Sequence, residues 1–317
     1  MTTNMTGTTP NSTEAMSNAD TETTPNSTGT TSNGARTWFI TGTSSGFGRE
    51  LAEQLLARGD RVAATARRTA ALDDLAAEHG DRLWRAALDV TDTAAVRSVV
   101  DRAFAELGHI DVVVSNAGYG LFGAAEELSD AQIDRQIATN LTGSIQLARA
   151  VIPRLRAQGG GRIMQIASIG GQVAFPAMSL YHATKWGIEG FWESAAADIA
   201  PFGIGVTLVE PGVARTAFAG PSADMGTPLP AYADAAPGQL RRSLAGELPP
   251  LPAPGDPAKI AAAIIASADL DEAPKRLTLG SDAYRMATAA LRDRLGALEA
   301  QRELAHSTDA DDYAAAR

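Results

Sequence analysis

The chain has 317 residues, 44% hydrophobic and 20% charged, and no cysteine; a sizeable core is possible, and disulfides, thiolate metal sites and thiol catalysis are excluded. Its 27 Lys and Arg against 37 Asp and Glu give a net charge of −10, which repels phosphate backbones and argues against a nucleic-acid partner. No stretch nears the roughly 18 uninterrupted apolar residues of a membrane span, no secretory signal is legible, and His79, His109, His182 and His306 lack metal-ligand spacing, so a cytoplasmic protein without a metal site is expected.

Residues 1–36 contain no Val, Ile, Leu or aromatic residue and carry Thr-Thr-Pro-Asn-Ser-Thr at 8–13 and again at 23–28. Such a segment cannot repay the entropy of ordering, so a disordered tail is expected. Trp38–Ile40 then reads as a buried strand running into a glycine-rich turn, and Phe47, Leu51 and Leu55 recur at helical spacing before Gly59, a C-cap. Further strands are predicted at Arg61–Ala66, Leu83–Leu88, Ile110–Val114, Arg162–Ala167, Ile204–Val209 and Arg276–Leu279. The intervening helices pass through Leu72 and Leu75, through Val96–Phe104, and over 129–157, 179–200 and 256–269. This alternation predicts an α/β fold, a doubly wound parallel sheet of about seven strands in one domain over 37–285, with a helical and acidic extension over 286–317. Ligands of such sheets bind beyond the carboxyl ends of the strands.

The first such end carries Gly42, Ser44, Ser45, Gly46, Phe47 and Gly48. Glycines there let the backbone approach a pyrophosphate, and the following helix N-terminus supplies N–H groups. NAD proteins place an acidic residue about 20 positions further on, for the ribose 2′-hydroxyl. This chain has Arg67 and Arg68 instead, which suit a 2′-phosphate and point to NADP(H). Asp89, followed by Val90, ends the third strand and suits an adenine amino group; Asn116, Ala117 and Gly118 close the fourth.

Tyr181 and Lys185 lie at i and i+4 on one predicted helix face, thirteen residues after Ser168 at a strand end, and Asn140 sits inside the preceding helix. With Thr41-Gly-x-x-x-Gly-x-Gly48, Asn116-Ala117-Gly118, Pro211-Gly212 and Thr216, this set resembles the short-chain dehydrogenase/reductase family in order and spacing over about residues 37–285. The resemblance implies a Rossmann-type fold and interconversion of a carbonyl and a secondary alcohol by hydride transfer, with Tyr181 as general acid/base. A free phenol has a pKa near 10, and one positive charge at about 5 Å is worth roughly 3 kcal/mol, so Lys185 is expected to lower it. The resemblance further gives Lys185 the nicotinamide ribose, Ser168 the substrate oxygen, Asn140 a water, and Thr216 with Pro211, Gly212 and Val213 the carboxamide. It also implies a homodimer or homotetramer built on the 129–157 and 179–200 helices.

Residues 217–255 are rich in Pro, Ala and Gly and weakly periodic, as a substrate lid would be. Phe218, Met225, Leu229 and Tyr232 from it, with Tyr119, Phe122, Val173, Phe175 and Met178 from other strand ends, predict a mainly hydrophobic ketone or alcohol substrate. Arg241 and Arg242 are either plain surface or a contact for an anionic handle. His182 is expected to be surface, while Trp186, Phe191 and Trp192 either pack internally or fill an interface. Two alternatives share the fold: an NADP(H)-sensing regulator without turnover, and an isomerase or dehydratase.

Overall fold

The computed structural model describes residues 34–220, 223–250 and 252–310; residues 1–33 of the expected disordered leader and the acidic end from 311 lie outside them. Arg36, expected within that leader, is held by Asp60 (2.9 Å) and Asp269 (2.9 Å). Seven parallel strands form the central sheet in the order β3-β2-β1-β4-β6-β7-β9. They are β1 Thr37–Thr41, β2 Arg61–Ala66, β3 Leu83–Ala87, β4 Val112–Ser115, β6 Gly161–Ile166, β7 Ile204–Pro211 and β9 Arg276–Leu279. Two-residue strands β5 Leu121–Phe122 and β8 Asp224–Met225 pair separately. Strand order reverses direction between β1 and β4, and the crevice of a doubly wound sheet opens at such a reversal.

The sheet is covered on both faces, which is why its strands read as apolar runs: Val112, Val113 and Val114 are all fully buried. One apolar layer joins the sheet to α1 Gly46–Arg58 and α8 Pro257–Ala268 through Trp38, Leu51, Leu55 and Ile264. The other joins it to α3 Thr93–Leu107, α5 Gly143–Ala157 and α6 Ser179–Ile199 through Phe39, Val100, Leu147 and Trp192. Side-chain caps start α3 and α8, where Asp92 and Asp256 accept the first free N–H groups, and Gly59 ends α1 in the left-handed region. The short α2 Asp73–His79 follows β2.

Two predicted elements differ in detail. The 129–157 helix consists of α4 Asp130–Ile137 and α5, joined by a π-helical turn over Ala138–Thr142. The extra residue centres on Asn140, whose side chain bonds outside the helix, and π turns of this kind recur at functional sites. The 217–255 region contains α7 Ala236–Leu244 as well as β8. Its helix is short and opens on Ala-Pro-Gly, so its period was invisible. Beyond β9, α9 Ser281–Glu299 and α10 Arg302–His306 continue the chain with Leu291, Leu295, Leu298 and Leu304 exposed.

Candidate active site

The turn between β1 and α1 is shaped by what its glycines leave out. Gly42 has φ +72° and a Cβ there would stand 2.9 Å from Ala117 Cα; a Cβ on Gly48 would strike the Gly42 carbonyl and the Asn116 amide. Gly46 also has positive φ. Asn116 Nδ2 donates to the carbonyls of Thr41 (2.8 Å) and Gly42 (3.1 Å), and Thr41 Oγ1 accepts from the N–H groups of Asn116 (2.9 Å) and Ala117 (3.1 Å). The ends of β1 and β4 are thereby locked together, with Gly118 exposed beside them. Ser45 caps α1 without a side-chain bond, and Ser44 and Ser45 are exposed. The result is a backbone cradle facing the free N–H groups of a helix, the chemistry a pyrophosphate needs.

Arg67 and Arg68 lie exposed at the end of β2, and Arg67 is close enough to help hold the Asp89 carboxyl below its usual range. The larger cause is Thr91, whose hydroxyl (2.7 Å) and N–H (2.9 Å) donate to Asp89 Oδ1. Val90 is half-buried, its carbonyl packed where Gly143 lacks a Cβ.

Tyr181 and Lys185 are both buried on α6, with Lys185 Nζ 5.7 Å from the phenol ring centre. Lys185 Nζ donates to the Ile166 carbonyl at the end of β6 (2.9 Å). Ser168 Oγ accepts from the Gly170 N–H (3.0 Å) and acts on the Tyr181 hydroxyl. Burial pushes the Tyr181 phenol up to about 12 against the pull of Ser168, and burial draws Lys185 down to about 8 while Glu189 raises it. The expected lowering of the phenol by Lys185 is not seen: burial dominates the shift, and Ser168 is the group that opposes it.

Asn140 is buried, and its amide pairs twice with the backbone of Tyr119, accepting from N (3.1 Å) and donating to O (2.9 Å). The amide is thus held to the loop after β4, which Gln136 also grips through the Tyr119 carbonyl (3.1 Å). At the end of β7, Pro211 is buried, and Val213 offers only its side chain. Its N–H donates to Asp282 Oδ2 (2.8 Å) and its carbonyl accepts from Gly255 (3.0 Å). Gly212 is obligatory because a Cβ would enter the Asp282 carboxylate. Thr216 Oγ1 accepts from Phe218 N (3.3 Å), which leaves its hydroxyl proton available.

The predicted substrate residues converge in part. Phe218 stands edge-on to Tyr181 with ring centres 5.2 Å apart and to Phe122 at 6.0 Å, forming an aromatic wall beside the phenol. Phe175 meets His182 at 5.3 Å. The Tyr119 hydroxyl is turned toward Arg135, the Tyr232 hydroxyl donates to Glu126, and the Leu229 N–H donates to Glu127 (3.0 Å). Met225 pairs with Phe122 across β5 and β8; Val173 and Met178 flank the Phe175 loop, half-buried. Within that loop Ala177 has φ +65°, a conformation costly for a residue with a Cβ.

Two expectations are overturned. His182 is buried, not surface: its ring takes the Phe175 N–H (2.8 Å) on Nε2 and pairs with the Gly170 carbonyl (2.8 Å) through Nδ1. It joins the Ser168 segment to the Phe175 loop, a task no sequence signal announced. Arg241 is no contact for an anionic substrate handle: its guanidinium turns inward onto Glu127, whose side chain is 0% exposed. Arg242 donates to the Ala233 carbonyl (2.7 Å). Sequence reasoning also missed Glu189, Glu210 and Arg276 behind Lys185; only the i,i+4 spacing of Lys185 and Glu189 hinted at them. Of the aromatics on α6, Trp192 packs inside with its indole N–H on Gln165 (3.3 Å), whereas Trp186 is 42% exposed.

The short chain dehydrogenase family model matches residues 36–226. The oxidoreductase BOA17 of Botryotinia fuckeliana is 38% identical over 273 residues, covering 85% of this chain and 97% of that protein. A solved short-chain dehydrogenase from Streptomyces avermitilis superposes with TM-score 0.79 at 41% identity, over 88% of this chain and all of that one (100%). An alcohol dehydrogenase from Thermococcus sibiricus, solved with 5-hydroxy-NADP, gives TM-score 0.63 at 26% identity, over 78% and 96% of the two chains.

Proposed function

The chain belongs to the short-chain dehydrogenase family, and on that premise we propose that it is an NADP(H)-dependent oxidoreductase interconverting a carbonyl and a secondary alcohol on a mainly hydrophobic small molecule. The observation that carries this reading is the Tyr181 phenol, buried with Ser168 and Lys185 on one side and Phe218 and Phe122 on the other. A proton donor, a hydroxyl for the same oxygen and an aromatic wall are what an apolar ketone requires. Arg241, the cation that an anionic substrate could have met here, is turned onto Glu127.

The cofactor residues fit the role. The Gly42–Gly48 cradle receives a pyrophosphate; Arg67 and Arg68 provide two exposed guanidiniums, without an ion pair among the described residues, for a 2′-phosphate, and Asp89, Val90, Asn116, Ala117 and Gly118 border the adenosine side. Pro211, Gly212, Val213 and Thr216 border the nicotinamide side. When bound, the nicotinamide supplies or accepts the hydride. Tyr181, with a pKa pushed up to about 12, keeps its proton at neutral pH and acts as general acid toward the substrate oxygen in the reductive direction. Ser168 donates a hydrogen bond to that oxygen as charge develops on it. Lys185, drawn down to about 8, is charged at neutral pH and steadies the phenolate left behind. Two copies meeting across α5 and α6 belong to the same reading, with Trp186 at the contact.

An NADPH-oxidation screen over ketones of graded size and polarity tests the proposal. Turnover should favour apolar ketones, and the absence of turnover with every one of them would contradict it. Replacing Arg67 and Arg68 together by Glu should reverse the preference to NADH, by about 100-fold for the loss of one or two charge-assisted contacts. Equal use of both cofactors by the unaltered protein would remove the basis for NADP.

A further inference from the structure

Lys185 is a buried ammonium whose hydrogen bond goes to a neutral carbonyl, that of Ile166. A buried charge without a partner is costly, and the carboxylate that acts on it is Glu189, one turn further along α6. Residues four apart share a helix face. Glu189 is itself buried. Its Oε2 accepts from Arg276 of β9 (2.9 Å), while its Oε1 has no donor among the described residues and the carboxyl faces Glu210. Gly171 makes the room: a Cβ there would lie 2.7 Å from Glu189 Cγ and 3.1 Å from Oε1.

The surroundings carry more negative charge than they neutralise. Glu210 of β7 is buried, pairs with Arg276 Nε (2.9 Å), and accepts from Gln172 (3.0 Å) and Thr278 (3.0 Å). Glu193, nearer solvent, shares Arg276 and also takes Lys275 (2.6 Å). On the outer side Arg294 of α9 donates to the Gln172 carbonyl (2.9 Å) and adds no carboxylate contact. Among the described residues three carboxyl groups therefore face two cations, Arg276 and Lys275, and Glu189 acts on the further positive charge of Lys185.

We propose that Glu189 is a positioning residue for Lys185: its unpartnered carboxylate oxygen supplies the counter-charge that keeps the buried ammonium protonated beside Tyr181, and Arg276 with Glu210 sets how much of that charge is available. Its significance for proton transfer rests on the oxidoreductase reading. Burial, reinforced by Glu210, holds the Glu189 carboxyl above the usual carboxylate range despite Arg276. Burial likewise lowers Lys185, so each group's charged form stabilises the other's near neutral pH. A cluster that merely tied α6 to β7 and β9 would affect melting and leave the titration of Lys185 alone.

The chain has only Lys185, Lys259 and Lys275 as lysines, so the full-length, cofactor-free protein labelled with 13C at lysine Cε gives three signals, and Lys185→Arg assigns one. Glu189→Gln should lower the Lys185 midpoint by about one pH unit, the effect of losing a nearby opposite charge, and Glu193→Gln should leave it in place. A folded Glu189→Gln protein with an unmoved midpoint, or an equal fall in both variants, would overturn the assignment. If Glu189→Gln fails to fold, Glu189→Asp carries the test: drawing the carboxylate back by one methylene should lower the Lys185 midpoint, and an unmoved or raised midpoint overturns the assignment. Because the titration is read without cofactor, an inactive protein with the expected shift rejects the oxidoreductase reading, and an active one without it rejects this one.

Discussion

The rim at β1 and β4 and the described residues of the 217–255 region, the proposed substrate cover, are built by different means. The rim is backbone against backbone: Gly42 and Gly48 pack where a Cβ has no space, and Asn116 and Thr41 stitch two strand ends. The cover is short elements held by side-chain tethers. Glu127 binds Arg241 and the Leu229 N–H, Asp224 binds Arg135 and Gln132, and Tyr232 binds Glu126. A rim of this kind has one shape. A tethered segment can be released contact by contact, which suits the proposed role of admitting and discharging a substrate.

Substitutions can separate the two. The largest effect is expected at Gly48→Val, whose side chain must collide with the Gly42 carbonyl and the Asn116 amide. Overpacking against backbone at about 3 kcal/mol corresponds to roughly a 100-fold loss of NADPH affinity, measurable by quenching of intrinsic fluorescence. Arg241→Met should act on the cover alone. Burial opposes ionisation of Glu127, but the N–H groups of Leu229 and Ala124 and the Arg241 guanidinium hold its carboxyl below the usual range. Removing the cation leaves a buried carboxylate at a cost of about 3–5 kcal/mol. The expected signature is a lower urea midpoint and a raised KM for ketone, with NADPH affinity unchanged; a parallel loss of NADPH affinity would show that rim and cover are one unit.

The smallest effect is a pH dependence on the cover side. Burial lowers the His182 pKa against the pull of the Gly170 carbonyl. A group lowered on folding contributes stability that is present above its unfolded pKa of about 6.5 and lost as pH falls. Protonation also removes the acceptor for the Phe175 N–H. Stability should therefore decline below about pH 6 in the unaltered protein, and His182→Gln should flatten that decline in a urea series.

The contrast also explains what was legible beforehand. The sheet, the glycine turn and the Tyr181–Lys185 spacing are short-range patterns, and each maps onto one element. Arg241 and Glu127 are 114 positions apart, and nothing local in either announces the other. His182 reads as surface because the family pattern does not require it, yet its ring is buried between the Phe175 loop and the Gly170 segment. The direction of the Tyr181 shift was misjudged for a related reason: a charge can be counted in a sequence, while the degree of burial that outweighs it cannot.

The most direct test of the account compares Tyr181→Phe with the unaltered protein in NADPH binding and in ketone-dependent NADPH oxidation. If the phenol acts as the proposed general acid, binding should persist while turnover falls by at least about 100-fold, the lower range for loss of a general acid. Undiminished turnover in a folded Tyr181→Phe protein would contradict it.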